Sequence, residues 1–204
     1  MSPRKAAVLR GADDDRNLRD HLVTTAQRLL AGQGAAGLTV RAIARAAGVA
    51  DGVLYNHFPD KDALLAAAVG AHVAAAHADL GPLPTPGTAT VQENLALYLR
   101  AGLTLHRAVL PVFTGLLSSP AVLARYVESK AHNDDWRELL ARYLRAERDL
   151  SRLASDADTT AATALLVGIC HDTVLTAMLP GTRPAEVDVD VVVATLLAGI
   201  APHP

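Results

Sequence analysis

Residues 48–65 read GVADGVLYNHFPDKDALL. Apolar Val49, Val53, Leu54 and Phe58 surround a polar run, Tyr55-Asn56-His57. Pro59 then stops the helix, because proline offers no N–H and restricts the residue before it. At about 100° per residue, Leu54 and Phe58 share one face of the segment. Gly52 and Asn56 lie opposite, with Tyr55 and Val53 on the flanks. One side of this short helix is built for a core, and the other is small and polar.

The residues upstream give that polar side a setting. Thr39 is placed to cap a helix from Val40 to Ala47, and Gly48 ends it by adopting the positive φ that turns the chain. Ile43, Ala47, Val49 and Leu54 are spaced to fill the angle between two helices, and Ala44 is small where they cross. These are the proportions of a helix-turn-helix, whose second helix enters the major groove of DNA. Gly52 permits close approach, Tyr55 offers a phenol to a phosphate, and Asn56 offers an amide to a base edge. Asp60 can cap the next helix. Its first residue, Lys61, brings positive charge to a helix end that already attracts phosphate. Arg41 on the preceding helix joins the candidate DNA-binding set. His57 borders the core, so packing and phosphate contact both remain open for it.

The stretch LTVRAIARAAGVADGVLYNHFPDKDALL, residues 38–65, resembles the tetracycline-repressor-like (TetR/AcrR) family of bacterial transcription regulators. The combination A-x-x-A-G-V, then L-Y-x-H-F, then K-x-x-L-L carries the resemblance, which covers about the first third of the chain. It implies a small amino-terminal DNA-binding domain, followed by a variable helical domain that binds a small effector and dimerises through its last two helices. By this resemblance Thr39, Tyr55, His57 and Lys61 fall where the family contacts the DNA backbone, and Gly52, Val53 and Asn56 fall near base edges. The chain departs from the pattern at two positions. Ala50 stands where a serine cap is frequent, and Asp51 where lysine or a neutral residue is frequent. A carboxylate at position 51 suits a helix start by about 0.3–1 kcal/mol. It also sets a negative charge near phosphate, or can accept from cytosine N4. Capping and base reading both remain open.

The rest of the chain reads as helix. Residues 1–15 mix basic Arg4, Lys5 and Arg10 with Asp13-Asp14-Asp15, which suits a flexible arm, either an ordinary terminus or a phosphate or minor-groove contact. A first helix is expected from about Arg16 to Gly32, and a fourth from Asp60 towards Asp79. LGPLPTPGTAT, residues 80–90, is too rich in proline for a helix and serves as a joint. Beyond it, helices are expected at about 90–107, 109–117, 121–153, 158–179 and 188–200, with breaks at Pro111 and Pro120. No segment demands a strand, and the fold class is all-α. The resulting division is an arm at 1–15, a helix-turn-helix domain at 16–65, and an effector-binding and dimerisation domain at 66–204.

Composition limits the remaining functions. The 204 residues are 50% hydrophobic and 3% aromatic, with a net charge of −2. Through Leu65 there are nine Lys/Arg against seven Asp, a weak positive bias. No uninterrupted apolar run reaches membrane-spanning length, and residues 1–20 show no hydrophobic signal core, so a cytoplasmic protein is expected. One cysteine, Cys170, excludes an intrachain disulfide. His72 and His77 are not spaced as a metal pair, and Cys170, His171 and Asp172 diverge around a helix, so no metal or cofactor is expected. No nucleophile elbow or phosphate loop appears, and the chain is read as a non-enzyme.

Tyr98, His106, Phe113, Tyr126, Trp136, Tyr143 and His171 are scarce large or polar side chains within Ala/Leu-rich helices. They are the candidates for lining an apolar effector pocket. The expected partners are palindromic double-stranded operator DNA, a small and largely apolar effector, and a second copy docked through about residues 158–200. The expected function is a ligand-responsive repressor. The competing readings are a constitutive DNA-binding regulator with a solid bundle and a helical enzyme or carrier.

Overall fold

The computed structural model describes residues 3–34, 38–129, 135–182 and 186–200. Among them every regular element is an α-helix: α1 (Pro3–Gln33), α2 (Val40–Ala47), α3 (Asp51–His57), α4 (Lys61–Ala78), α5 (Val91–Gly115), α6 (Pro120–Ser129), α7 (Trp136–Asp149), α8 (Thr159–Met178) and α9 (Val189–Ile200). The all-α class stands. Short polar side chains start these helices by taking N–H groups that have no intrahelical acceptor. Thr39 accepts from Ala42 N at 3.1 Å, Asp60 from Ala63 N at 2.9 Å, and Asp158 from Thr160 and Ala161 N, each at 2.9 Å. Thr90 and Glu93 form a reciprocal capping box ahead of α5.

Three boundaries differ from the sequence expectation. The first helix begins at Pro3 and runs through the segment expected to be an arm. Proline suits the opening position of a helix because its missing N–H has no partner there anyway, and Ala6, Ala7 and Leu9 favour continuation. Pro111 does not end a helix, and α5 continues to Gly115. Proline leaves the carbonyl four residues earlier unbonded, and Pro111 and Arg107 are both on the exposed side of the helix. The expected helix over 121–153 is two helices. Asp135 starts α7 by accepting from Arg137 N at 3.3 Å, the cap chemistry that makes Asp unfavourable in a helix interior.

The chain packs as two compact units. One comprises residues 1–75 and 111–131, the other residues 76–110 and 132–204. In the first unit α1 lies against α2, and α2 against α3. Its buried side chains include Leu22, Ile43, Leu54, Leu64, Val69 and Leu116. The second unit buries Leu95, Leu99, Trp136, Leu140, Leu166 and Cys170. Of the described helices, α8 alone is long and apolar enough to cross a membrane by length and composition, yet Leu166, Val167 and Cys170 sit in this core.

Two local constraints hold the second unit. Glu147 is fully buried. It accepts from Gly87 N at 3.2 Å and pairs with Arg152 Nε at 3.1 Å. Arg152 also donates to the Ala89 carbonyl, so the 81–90 loop is tied to the end of α7. A buried carboxylate needs such partners, because an unpaired one is strongly destabilising. Gly102 packs beneath Trp136, and a Cβ at that position would collide with the indole ring. Gly102→Ala should therefore destabilise the protein by about 1–3 kcal/mol through overpacking, read as a lower urea midpoint and altered Trp136 emission.

Candidate nucleic-acid interface

The turn between α2 and α3 sets the geometry of the site. Gly48 has φ +72, and its N–H bonds to the Arg45 carbonyl at 3.2 Å while Val49 N bonds to Ala44 O at 3.0 Å. These bonds use the orphan carbonyls that close α2 and aim the chain across it. Ile43 and Ala44 are buried on α2, as are Leu54 and Phe58 beyond the turn. Contacts from α1 fix the pair from behind. The His21 Nε2 is 3.1 Å from the Ala47 carbonyl, and the Arg19 guanidinium stands 4.8 Å above the Phe58 ring. The latter is a cation–π contact.

With Leu54 and Phe58 turned inward, α3 presents Asp51, Gly52, Tyr55 and Asn56 to the outside, and Val53 is half-buried. Tyr55 is 58% exposed, so most of a large aromatic side chain has no partner within the protein. Nothing in the protein lies within 4 Å of a Cβ built on Gly52. Internal packing therefore does not require the glycine, and the absent side chain leaves room only for something external. Tyr55, Asp60 and Lys61 line one small notch together with Val40, Leu54, Phe58 and Leu64.

Other candidates have internal roles. Thr39 is exposed while its Oγ1 caps α2. Arg41 donates from Nε to Asp51 Oδ2 at 3.3 Å. The His57 side chain is only 5% exposed, and its Nδ1 lies 3.5 Å from Asp15 Oδ1, so its ring packs inward. Asp51 does not cap α3 through its side chain. The cap position is Ala50, which has no side-chain bond, and the carboxylate turns to Arg41 instead.

Asp60 is a further junction. Besides capping α4 it accepts from Arg125 Nη1 of α6, within the same unit. The Arg125 guanidinium, and after it the Ala63 N–H, hold the Asp60 carboxyl below the usual carboxylate range. The cap was legible in the sequence, but Arg125, 65 residues away, carried no local signal.

The aromatic candidates fall into three groups. Tyr98 and Tyr143 stack with ring centroids 4.6 Å apart. His106 meets Trp136 edge-on at 5.3 Å and His171 at 5.0 Å. Phe113 and Tyr126 pair at 5.3 Å, but they belong to the first unit, whereas the other five belong to the second. His106 Nδ1 lies 2.6 Å from the Gly102 carbonyl, and burial pushes its imidazole towards the neutral form. Among the described residues the buried Trp136 Nε1 has no hydrogen-bond partner, and the buried Tyr143 hydroxyl faces Glu147 and Asn94. Burial first, and Glu147 next, raise the Tyr143 phenol. Burial also pushes the Cys170 thiol up to about 12, so it stays protonated and unreactive.

A helix-turn-helix with an exposed, small and polar recognition face, carried on an all-helical chain, defines a DNA-binding transcription regulator. Residues 22–68 match the family described as "Bacterial regulatory proteins, tetR family". Residues 22–68 thus resemble the DNA-binding domain of that family, in keeping with the motif over residues 38–65.

Solved structures share the fold over nearly the whole chain. The flavonoid-responsive regulator FrrA is 23% identical with a TM-score of 0.68, covering 92% of this chain and 99% of its own. A TetR transcription regulator from Haloarcula marismortui is 20% identical with a TM-score of 0.66, covering 91% and 98%. The multidrug binding protein EbrR, complexed with imidazole, is 23% identical with a TM-score of 0.57, covering 91% and 96%. No curated protein matches the chain in sequence.

The Asp60–Arg125 pair makes stability depend on pH. A depressed carboxyl pKa contributes stability above the ordinary carboxylate range, and that stability is lost as pH falls through the folded value. Arg125→Ala should therefore lower the urea midpoint at neutral pH. The difference from wild type should begin to shrink below about pH 4, the ordinary carboxylate value, and vanish as pH falls through the lower folded value of Asp60.

Proposed function

We propose that the protein is a ligand-responsive repressor that binds a palindromic operator as a homodimer in the cytoplasm. The observation that carries this reading is the outward face of α3, where Gly52, Tyr55 and Asn56 stand free beside Lys61. Tyr55 and Lys61 hold phosphates together with Thr39 and Arg41. Gly52, Val53 and Asn56 lie against base edges, and His57 supports the helix from within. Two copies of α3 enter successive major grooves, roughly 34–36 Å apart or somewhat more.

The second unit supports an effector. The buried Trp136 indole N–H, without a partner among the described residues, costs free energy unless a water or ligand satisfies it. Among structures of the same fold, one is named for its response to flavonoids and another holds imidazole. The effector is a small, largely apolar molecule with a hydrogen-bond acceptor. A coupling of about 1–3 kcal/mol between the sites suffices for release from DNA.

Dimerisation is supported by an open groove of about 510 Å³ between α8 and α9, lined by apolar Leu165, Ile169, Val191 and Leu196. Leu165 and Val191 are exposed on the single chain, and a second copy would cover them. No catalytic role is assigned.

Selection of duplexes from random DNA identifies the operator. On that duplex Lys61→Ala should weaken binding by about tenfold, the loss of one charge-assisted hydrogen bond. It should also reduce the salt slope by about 1. Tyr55→Ala should weaken binding and leave the slope nearly unchanged, because the phenol carries no charge. Wild-type affinity in both variants would overturn the groove-docking arrangement. An effector that releases the DNA should also change the emission of Trp136, the chain's single tryptophan. Release with no change in its emission would place the effector elsewhere.

A further inference from the structure

Asp51 opens α3, yet its carboxylate bonds to none of the N–H groups of that helix. Oδ2 accepts instead from Arg41 Nε of α2 at 3.3 Å, with the two side chains 49% and 78% exposed. An ion pair this open to water contributes little to stability, so folding does not account for it. On the helical projection Asp51, Tyr55, Gly52 and Asn56 span one arc of roughly 140°. Asp51 stands at the edge of that arc nearest Tyr55, about 40° from it, with its half-exposed carboxylate at the start of the helix.

In a major groove that carboxylate can only accept. Guanine presents two acceptors there, and thymine an acceptor and a methyl group. Adenine pairs its amino donor with an acceptor at N7, while cytosine presents an amino donor alone. Cytosine is thus the one base edge that offers a carboxylate a donor without an adjoining acceptor. Phosphate is excluded as a partner by like charge. Resting on the DNA-binding reading above, we infer that Asp51 determines specificity by accepting from cytosine N4 in each half-site. Arg41 is its positioning residue: one N–H holds the carboxylate, and the guanidinium offsets its charge beside the phosphates.

The test is duplex selection from random DNA with the full chain as wild type, Asp51→Ala, Asp51→Asn and Arg41→Ala, each checked for a cooperative helical melt. Wild type should select cytosine at one position of each half-site. Asp51→Ala should keep the rest of the operator and lose the preference at that position by roughly five- to hundredfold. Asp51→Asn, the closest in shape, should move the preference to adenine, which an amide bonds at N6 and N7. Arg41→Ala should retain cytosine with a reduced ratio. If Asp51→Ala and Asp51→Asn weaken all duplexes alike and leave every base preference as in wild type, the inference is overturned and the DNA-binding reading stands. If the wild type selects no sequence at all, both fall together.

Discussion

The left-handed turn at Gly48 is the constraint on which the rest depends. At φ +72 a side chain would cost about 1–2 kcal/mol, and the two N–H groups following α2 are already committed to its last carbonyls. Only from this turn can α3 leave with Leu54 and Phe58 directed inward. Only then does its other side carry Gly52, Tyr55 and Asn56 to solvent. The contacts of His21 and Arg19 from α1 hold the turn's two arms without entering the exposed face. A small domain thus spends its apolar residues on orientation and leaves the polar ones unoccupied.

The parts of this arrangement that were legible in the sequence are those set by near neighbours. Thr39, Gly48, Pro59 and Asp60 delimit α2, α3 and the start of α4, because caps, positive φ and proline act within three or four residues. The same local rules misplace the elements where a distant condition decides. Pro111 reads as a break, yet α5 continues through it, with Arg107 and Pro111 both on the exposed side of the helix. Asp51 reads most simply as a cap, but Arg41, ten residues back, claims its carboxylate. His57 reads equally as contact or core, and the approach of α1 settles its ring inward. Glu147 gave no signal, since its partner Gly87 lies 60 residues away across a proline-rich loop.

The second unit rests on different chemistry. Its core is aliphatic around a stacked tyrosine pair and a histidine–tryptophan cluster. Burial keeps His106 towards neutral and Tyr143 and Cys170 protonated, so none of the three carries charge or nucleophilicity at neutral pH. Such an interior suits an uncharged ligand held by shape and one or two hydrogen bonds.

The central claim is that two copies of α3 occupy major grooves on one face of a palindromic duplex. A hydroxyl-radical footprint of the protein on its selected operator tests this most directly. The account predicts two protected patches symmetric about the dyad, centred one helical turn apart or slightly more, on one face of the DNA. A single asymmetric patch, or uniform protection independent of sequence, would contradict it.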